Sequence, residues 1–460
     1  MKFLHGMWIA SAVVVPSLAL AAFGAGGCSS SSSNAKTPGS CASSDGGTGA
    51  LPGNGFTTQA FTPPCDPGAG GILFSASGEV LSLGGFKFPP NGPVDTYMVD
   101  GWNFVLTEYL TVFDHITLWD NPNAVPTDQS QHGGVVAHVD GPWVADLHKG
   151  GPLSGKGGAG EQATPIAAIG AMDNGRAFDP ATTYGFGFST VAAPANGAKN
   201  VNLDSSQADD YAYMVQNGYS VLYVGTATWA GGAGNGLGPC TSTSAGSAGP
   251  GLDAGVAEGG SEAGLAASAG YDFTKLPPSF QFRMGFNTPT HYVNCQNGTD
   301  LSGMGVNGEA HPRGVQVKGN QSIVAQVTIH MDHPFWESFA ENSPLHWDQI
   351  AAQYLGAPGV PVVHTEDMKG VSFLAFTDKG GTPLPWRNCS GGNYTPPGNG
   401  QMSFDPLTVP VDPSATDPSK ALRDYYDYMR YTQATQGHLN SQGLCFIARQ
   451  YPAPGGGSGR

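Results

Sequence analysis

Between Trp102 and Leu118 the even-numbered positions read Trp, Phe, Leu, Glu, Leu, Val, Asp, Ile and Leu, while the odd ones mix Thr, Tyr, Phe and His. Side chains that change sides at every step mark half-buried extended chain. The pattern outlasts an ordinary strand, so it predicts two strands or one strongly bent one. Phe280, Phe282, Met284 and Phe286 alternate in the same way, as do Ile323, Ala325, Val327 and Ile329. Ile72-Leu73-Phe74 and Val80-Leu81-Ser82-Leu83 flank Ser77-Gly78 and read as a hairpin.

Composition agrees with a β class. The chain has 69 Gly and 36 Pro, and only 12% of its residues are charged. Coiled coils and long helical arrays need far more charge and far fewer breakers. The reading is a mainly β fold, a β-sandwich or jelly-roll-like architecture with a few packed helices. A C-terminal helix is expected over about 418–436, opened by Asp417-Pro418 and ended by Gly437. A second is expected from Pro344 to Leu355 with Ser343 as cap, and a third from Gln207 to Asn217, closed by Gly218. A formal charge of −16 opposes binding to nucleic acid.

Low-complexity stretches divide the chain. Residues 28–66 are rich in Ser, Gly and Pro and read as a disordered tether. A second stretch, 230–270, is almost entirely Gly, Ala and Ser, and serves as an insertion or a linker. It separates a β-rich half at 67–229 from a β-rich half with helices at 271–452, ahead of a flexible tail at 453–460. The ~390 residues between tether and tail suffice for one large domain or two medium ones.

Chemistry-bearing residues are densest in Thr328-Ile329-His330-Met331-Asp332-His333-Pro334-Phe335-Trp336-Glu337, with His346 and Asp348 soon after. Imidazoles and carboxylates at a strand-to-helix corner are what Zn²⁺ and Cu²⁺ sites are made from. The candidate metal ligands are His330, His333 and His346, with Asp332 or Asp348 completing or orienting the set. The bland alternative is that Asp332 caps a helix and the histidines are hydrogen-bonded core residues. His115, His138, His311, His364 and His438 are further candidate ligands.

Two other readings stand beside this one. Trp143, Trp229 and Trp386 lie near Gly- and Pro-rich loops, where exposed rings could stack on glycans in a non-enzymatic adhesive protein. Glu108 and Asp114 fall on the apolar even face and could form the acid–base pair of a hydrolase. Familiar signatures fail. Gly150 to Lys156 opens like a phosphate loop, but Gly157 stands where Ser or Thr should bind Mg²⁺. H-E-x-x-H and G-x-S-x-G do not occur.

The N-terminus carries Lys2, an apolar stretch from Trp8 to Phe23, small residues Ala25, Gly26 and Gly27, then Cys28 and the serine run Ser29 to Ser33. Pro16 and several glycines make it a poor permanent membrane span. Residues 1–30 resemble the lipobox class of bacterial lipoprotein signals, with Ala25 where that class usually has Leu. The resemblance implies a signal peptide at 1–27, lipid on Cys28 that anchors the chain to a membrane, and a place in the cell envelope. Six of the seven cysteines then remain: Cys41, Cys65, Cys240, Cys295, Cys389 and Cys445. No two are spaced C-x-x-C, so structural disulfides are expected, with Cys41 paired to Cys65.

Overall fold

A computed structural model describes residues 59–60, 67–91, 96–232, 237, 240–242, 271–339, 343–372, 376–391, 422 and 424–451. Strand outweighs helix, 34% to 16%, and the fold is mainly β and sandwich-like. In chain order the principal elements are β1 (Ile72–Ser77), α1 (Glu79–Gly84), β2 (Trp102–Trp119), β3 (Val135–Val139), β4 (Trp143–Asp146), β5 (Gln162–Ile169), β6 (Thr183–Thr190), α2 (Ala208–Asn217), β7 (Val221–Trp229), β8 (Ser279–Phe286), β9 (Thr290–Val293), β10 (Ile323–Ile329), α3 (Asp348–Ala351), α4 (Tyr425–Gln433), β11 (Gly437–Leu439) and β12 (Phe446–Arg449).

Two sheets form the body. The larger has twelve strands and is centred on β2, which pairs with β7, β4, β3 and β6; β8 lies beyond β7. The smaller has six strands and contains β11, β10, β1 and β5 in that order. Phe74 of the small sheet meets Phe186 of the large one at a ring distance of 6.0 Å. The main core lies between them. On the other face of β2, Leu110 and Val112 pack with Tyr211 and Met214 of α2.

The long alternating segment is one strand with two breaks in phase. Val224 pairs with Glu108 but Gly225 pairs with Leu106, so Thr107 is an extra residue. A second irregularity falls between Asp114 and Thr117, where His115 has a left-handed φ of 47°. Each single-residue slip exchanges the faces. Phe104 and Leu106 therefore point into the main core, then Tyr109 and Phe113, then Ile116 and Leu118. Glu108 is thereby carried off the main-core face on which simple alternation places it.

The two halves are not separate. β7 and β8, which flank residues 230–270, are antiparallel neighbours. β1 from the first half pairs in parallel with β10 from the second. The 230–270 stretch is therefore an insertion between adjacent strands of one compact unit. Within the expected tether, Gln59–Ala60 pair with Lys199–Asn200. Cys28, Cys41, Cys65 and the tail at 453–460 lie outside the described residues.

The helices depart from expectation in instructive ways. α2 ends at Gly218, which is left-handed at φ 67° as its role requires. Val80 to Leu83 form α1 rather than a hairpin arm, because β5 and β10 already occupy both edges of β1. α3 starts at Asp348, not Pro344: the Asp100 carboxylate reaches across the fold and accepts from the Trp347 and Asp348 backbone N–H groups, each at 2.7 Å. In α4 the cap is Asp424, whose backbone is extended; residues 418–421 and 423 of the expected helix lie outside the described residues. Gly437 begins β11 instead of ending a helix.

Two disulfides, Cys240–Cys389 and Cys295–Cys445, join distant segments. They point to an oxidising, extracytoplasmic setting. Among the described residues no helix is long and apolar enough to cross a membrane.

Candidate metal centre

Three strand ends of the small sheet converge on one spot. β10 lies between β1, its parallel neighbour, and β11, its antiparallel neighbour. Immediately beyond β10 come His330, Asp332 and a single 3₁₀ turn, His333–Phe335. Beside them, His438 stands on β11 opposite Thr328. On the other side, Glu79 follows the end of β1 with a left-handed φ of 60°.

His330, Asp332 and His333 each offer one ligand atom, and these atoms lie within 4.8 Å of one another. His330 and His438 rings are 4.3 Å apart, and His333 and His438 rings 6.0 Å. The Glu79 Oε1 atom is 3.4 Å from His330 Nε2. All three histidines and Asp332 are buried. Glu79 and Asp332 keep 17% and 11% of their side-chain surface accessible, against 1% for His333, so the cluster meets solvent on the carboxylate side.

Neighbouring groups aim the ligands. Thr435 donates its one hydroxyl proton to the Thr432 carbonyl at 2.7 Å, so His333 Nδ1, 2.8 Å away, must donate to that hydroxyl. This fixes the His333 tautomer and leaves the Nε2 lone pair bare. Trp336 stacks on the His333 ring at 3.8 Å and donates from Nε1 to Asp332 Oδ2 at 3.1 Å. One indole thus holds both residues. Tyr109 anchors the strand end by donating to the His330 carbonyl at 2.8 Å.

The atoms left over are the telling ones. His330 Nε2, His333 Nε2 and Asp332 Oδ1 are buried without a hydrogen-bond partner, while the His438 ring lies against backbone groups of Gln442 and Thr435. Burial, and then the charge of His330, hold His438 well below the usual histidine range against the opposing pull of hydrogen bonds to Gln442 and Thr435 backbone groups. His333 is also held well below that range, by burial and then by the charge of His330 and His438. Burial pushes Asp332 up to about 6 and raises Glu79 as well. Neutral imidazoles with free lone pairs are metal ligands in waiting.

Two of the expected ligands go elsewhere. His346 Nε2 lies 2.9 Å from Glu337 Oε2 and its Nδ1 lies 3.9 Å from Asp100, so a carboxylate faces each ring nitrogen. Asp348 is held in a two-pronged ion pair by Arg387 and accepts from Trp102 Nε1 at 2.7 Å. Neither joins the His330 cluster. The chain past Asp332 makes only a single 3₁₀ turn, His333–Phe335, and Glu337 pairs with His346 beyond it and not with the ligands. His438, a lesser candidate by sequence, joins because β11 pairs with β10. Glu79 was not visible in the sequence as part of this chemistry.

The other two readings find no geometric support. Trp143 and Trp386 are buried and Trp229 is half-buried under Arg387, so none forms an open stacking platform. Glu108 and Asp114 are six residues apart along one strand, a separation of about 20 Å. Glycosidic acid–base pairs stand within about 10 Å. Glu108 instead faces Asp210 and Asp146, and burial with those charges pushes it up to about 8. The fold thus favours neutral Glu108, and stability falls as pH rises from 4.5 towards 8. Glu108→Gln should flatten that loss in denaturation midpoints measured between pH 5 and 8; an unchanged slope would exclude Glu108 as its source.

Compared with family models, curated proteins and solved structures, the chain matches none.

Proposed function

We propose that this chain is an exported, lipid-anchored envelope protein that binds one transition-metal ion, Zn²⁺ or Cu²⁺, through His330, Asp332 and His333, with His438 as fourth donor. The observation that carries the reading is the set of unpartnered, buried ligand atoms gathered at one spot. Each such atom costs the fold about 1–3 kcal/mol if nothing satisfies it. A cation would satisfy one nitrogen of each imidazole and the Asp332 oxygen together. Imidazole suits both metals, and a carboxylate beside it is within the usual donor repertoire of Zn²⁺.

Ligands bound at about 2.0–2.2 Å from an ion lie about 3–4 Å apart, so the cluster needs to close by roughly an ångström. Trp336 and Thr435 would act as the outer support that keeps His333 and Asp332 oriented. Such an ion would lower the pKa of a bound water or polarise a ligand at the Glu79–Asp332 edge, where the cluster meets solvent. Support for export comes from the leader, from Cys28 and from the two disulfides.

Elemental analysis of protein extracted from membranes and dialysed against a weak chelator tests this. About one Zn or Cu per chain is expected, falling to background in His330→Ala and His333→Ala. Unchanged, sub-stoichiometric metal in all three would dismiss the site. The intact mass of the same material reads the anchor: a chain starting at Cys28 with added acyl mass is expected, and an unprocessed chain starting at Met1 would refute it.

A further inference from the structure

A second group of metal-ligand side chains sits on the large sheet, where the strand β2 breaks phase. Asp114, His115 and Asp140 each present one ligand atom, all within 4.8 Å of one another. Asp140 lies between two imidazoles: its Oδ1 is 3.0 Å from His115 Nδ1 and its Oδ2 is 3.9 Å from His138 Nε2. Unlike the buried centre, this group is open. His115, His138 and Asp140 each keep about half of their side-chain surface accessible.

The scaffold around it orders the donors. Asp114 Oδ1 accepts from the backbone N–H groups of His115 at 2.8 Å and Gly141 at 2.7 Å, so that carboxylate cannot swing away. Asp173 Oδ2 pairs with His138 Nδ1 at 2.6 Å. A carboxylate on one ring nitrogen, with the opposite nitrogen turned towards further ligands, is the outer-support arrangement of metal-bound histidine. Burial, and then the neighbouring His115, disfavour charge on a third imidazole, His291. Its Nδ1 is 2.6 Å from Ser189 Oγ, and Ser189 lies opposite Asp114 in the sheet.

We propose that Asp114, His115 and Asp140, supported by His138, form a second, solvent-open site for a divalent metal of the Zn²⁺ type. The open setting and the carboxylate-rich donors make it an exchangeable site, weaker than the buried one. The inference is independent of the buried centre, because no residue is shared.

Zn²⁺ titration of the full processed chain by calorimetry, with stoichiometry checked by equilibrium dialysis, is the test. Two ions per chain are expected, one tight and one weaker. His115→Asn keeps a residue that tolerates the left-handed backbone. It and Asp140→Asn should abolish the weaker event and leave the tight one. Asp173→Asn should weaken it by about 10- to 100-fold without changing the count. His330→Ala should remove only the tight event. A weaker event that persists unchanged in His115→Asn and Asp140→Asn, or a parent chain whose every binding event survives those two changes, overturns the proposal. Loss in His115→Asn alongside an unaffected His330→Ala would instead uphold this site and count against the buried one. Circular dichroism of each variant separates lost binding from lost fold.

Discussion

Cutting Arg387 back to alanine will destabilise the fold by about 3–5 kcal/mol, the usual cost of stranding one partner of a buried ion pair. Arg387 and Asp348 are both buried, and Arg387 Nε donates to Asp348 Oδ2 at 2.9 Å while a second prong reaches Oδ1. The guanidinium also lies over the rings of Trp229 and Phe273 at 4.8 and 4.5 Å. Behind this pair stands Asp100, wholly buried and pushed up to about 7, first by burial and then by the charge of Asp348. His346 and Arg387 pull the other way. Without Arg387 two carboxylates face each other across the start of α3, and Asp348 has lost the ion-pair partner that holds it.

Arg387→Lys should recover only part of the loss, because an ammonium cannot match the fork. The pair Arg387→Met with Asp348→Asn should recover more than either single change predicts, since no buried charge is left stranded. Chemical denaturation of the four chains measures this. A loss under about 1 kcal/mol in Arg387→Ala would show that the pair is solvated and that this account of α3 is mistaken. Metal content should stay at the parent level in the folded fraction of every variant, because Asp348 belongs to this network and not to the His330 cluster.

That division marks how far the sequence could be read. Strands whose two neighbours are ordinary, such as β8 and β10, follow from period-two alternation alone. So does α2, whose stop at Gly218 is a local matter of backbone conformation. The cluster at 330–333 was legible because its ligands are consecutive, and chain connectivity keeps them together whatever the fold does around them. His346 and Asp348 looked equivalent by spacing. Their fate was decided by Asp100, whose carboxylate starts α3 from far away in sequence. Glu79 and His438 were hidden for the same reason in reverse, since parallel pairing of β1 with β10 and antiparallel pairing of β11 with β10 bring them in. One-residue slips at Thr107 and His115 leave no mark in a hydrophobic pattern, yet they turn Glu108 from one face of β2 to the other.

Removing the Cys295–Cys445 bridge should cost about 2–5 kcal/mol, and its effect should reach the buried centre. The bridge spans 150 residues of sequence, so it removes a large loop entropy from the unfolded chain. In the folded chain it ties the end of β9 to the turn between β11 and β12, and β12 itself lies against β9 from Arg449 to Phe446. β11 is only three residues long and holds its register through β10 on one side and Gly443–Leu444 on the other. Its middle residue is His438. A loosened β12 frees that hairpin to fray, and His438 rides on it with its ring placed by the hairpin's own backbone at Gln442 and Thr435. The double variant Cys295→Ala with Cys445→Ala should therefore lose denaturation midpoint and also metal affinity, while His330, Asp332 and His333 remain supported by Trp336 and Thr435. Removing Cys240–Cys389, which joins the Thr241–Ser242 and Arg387–Asn388 segments instead, should lower stability with little change in affinity. Equal affinity losses for the two bridges would mean that only global stability is being felt, and would separate His438 from the ligand set.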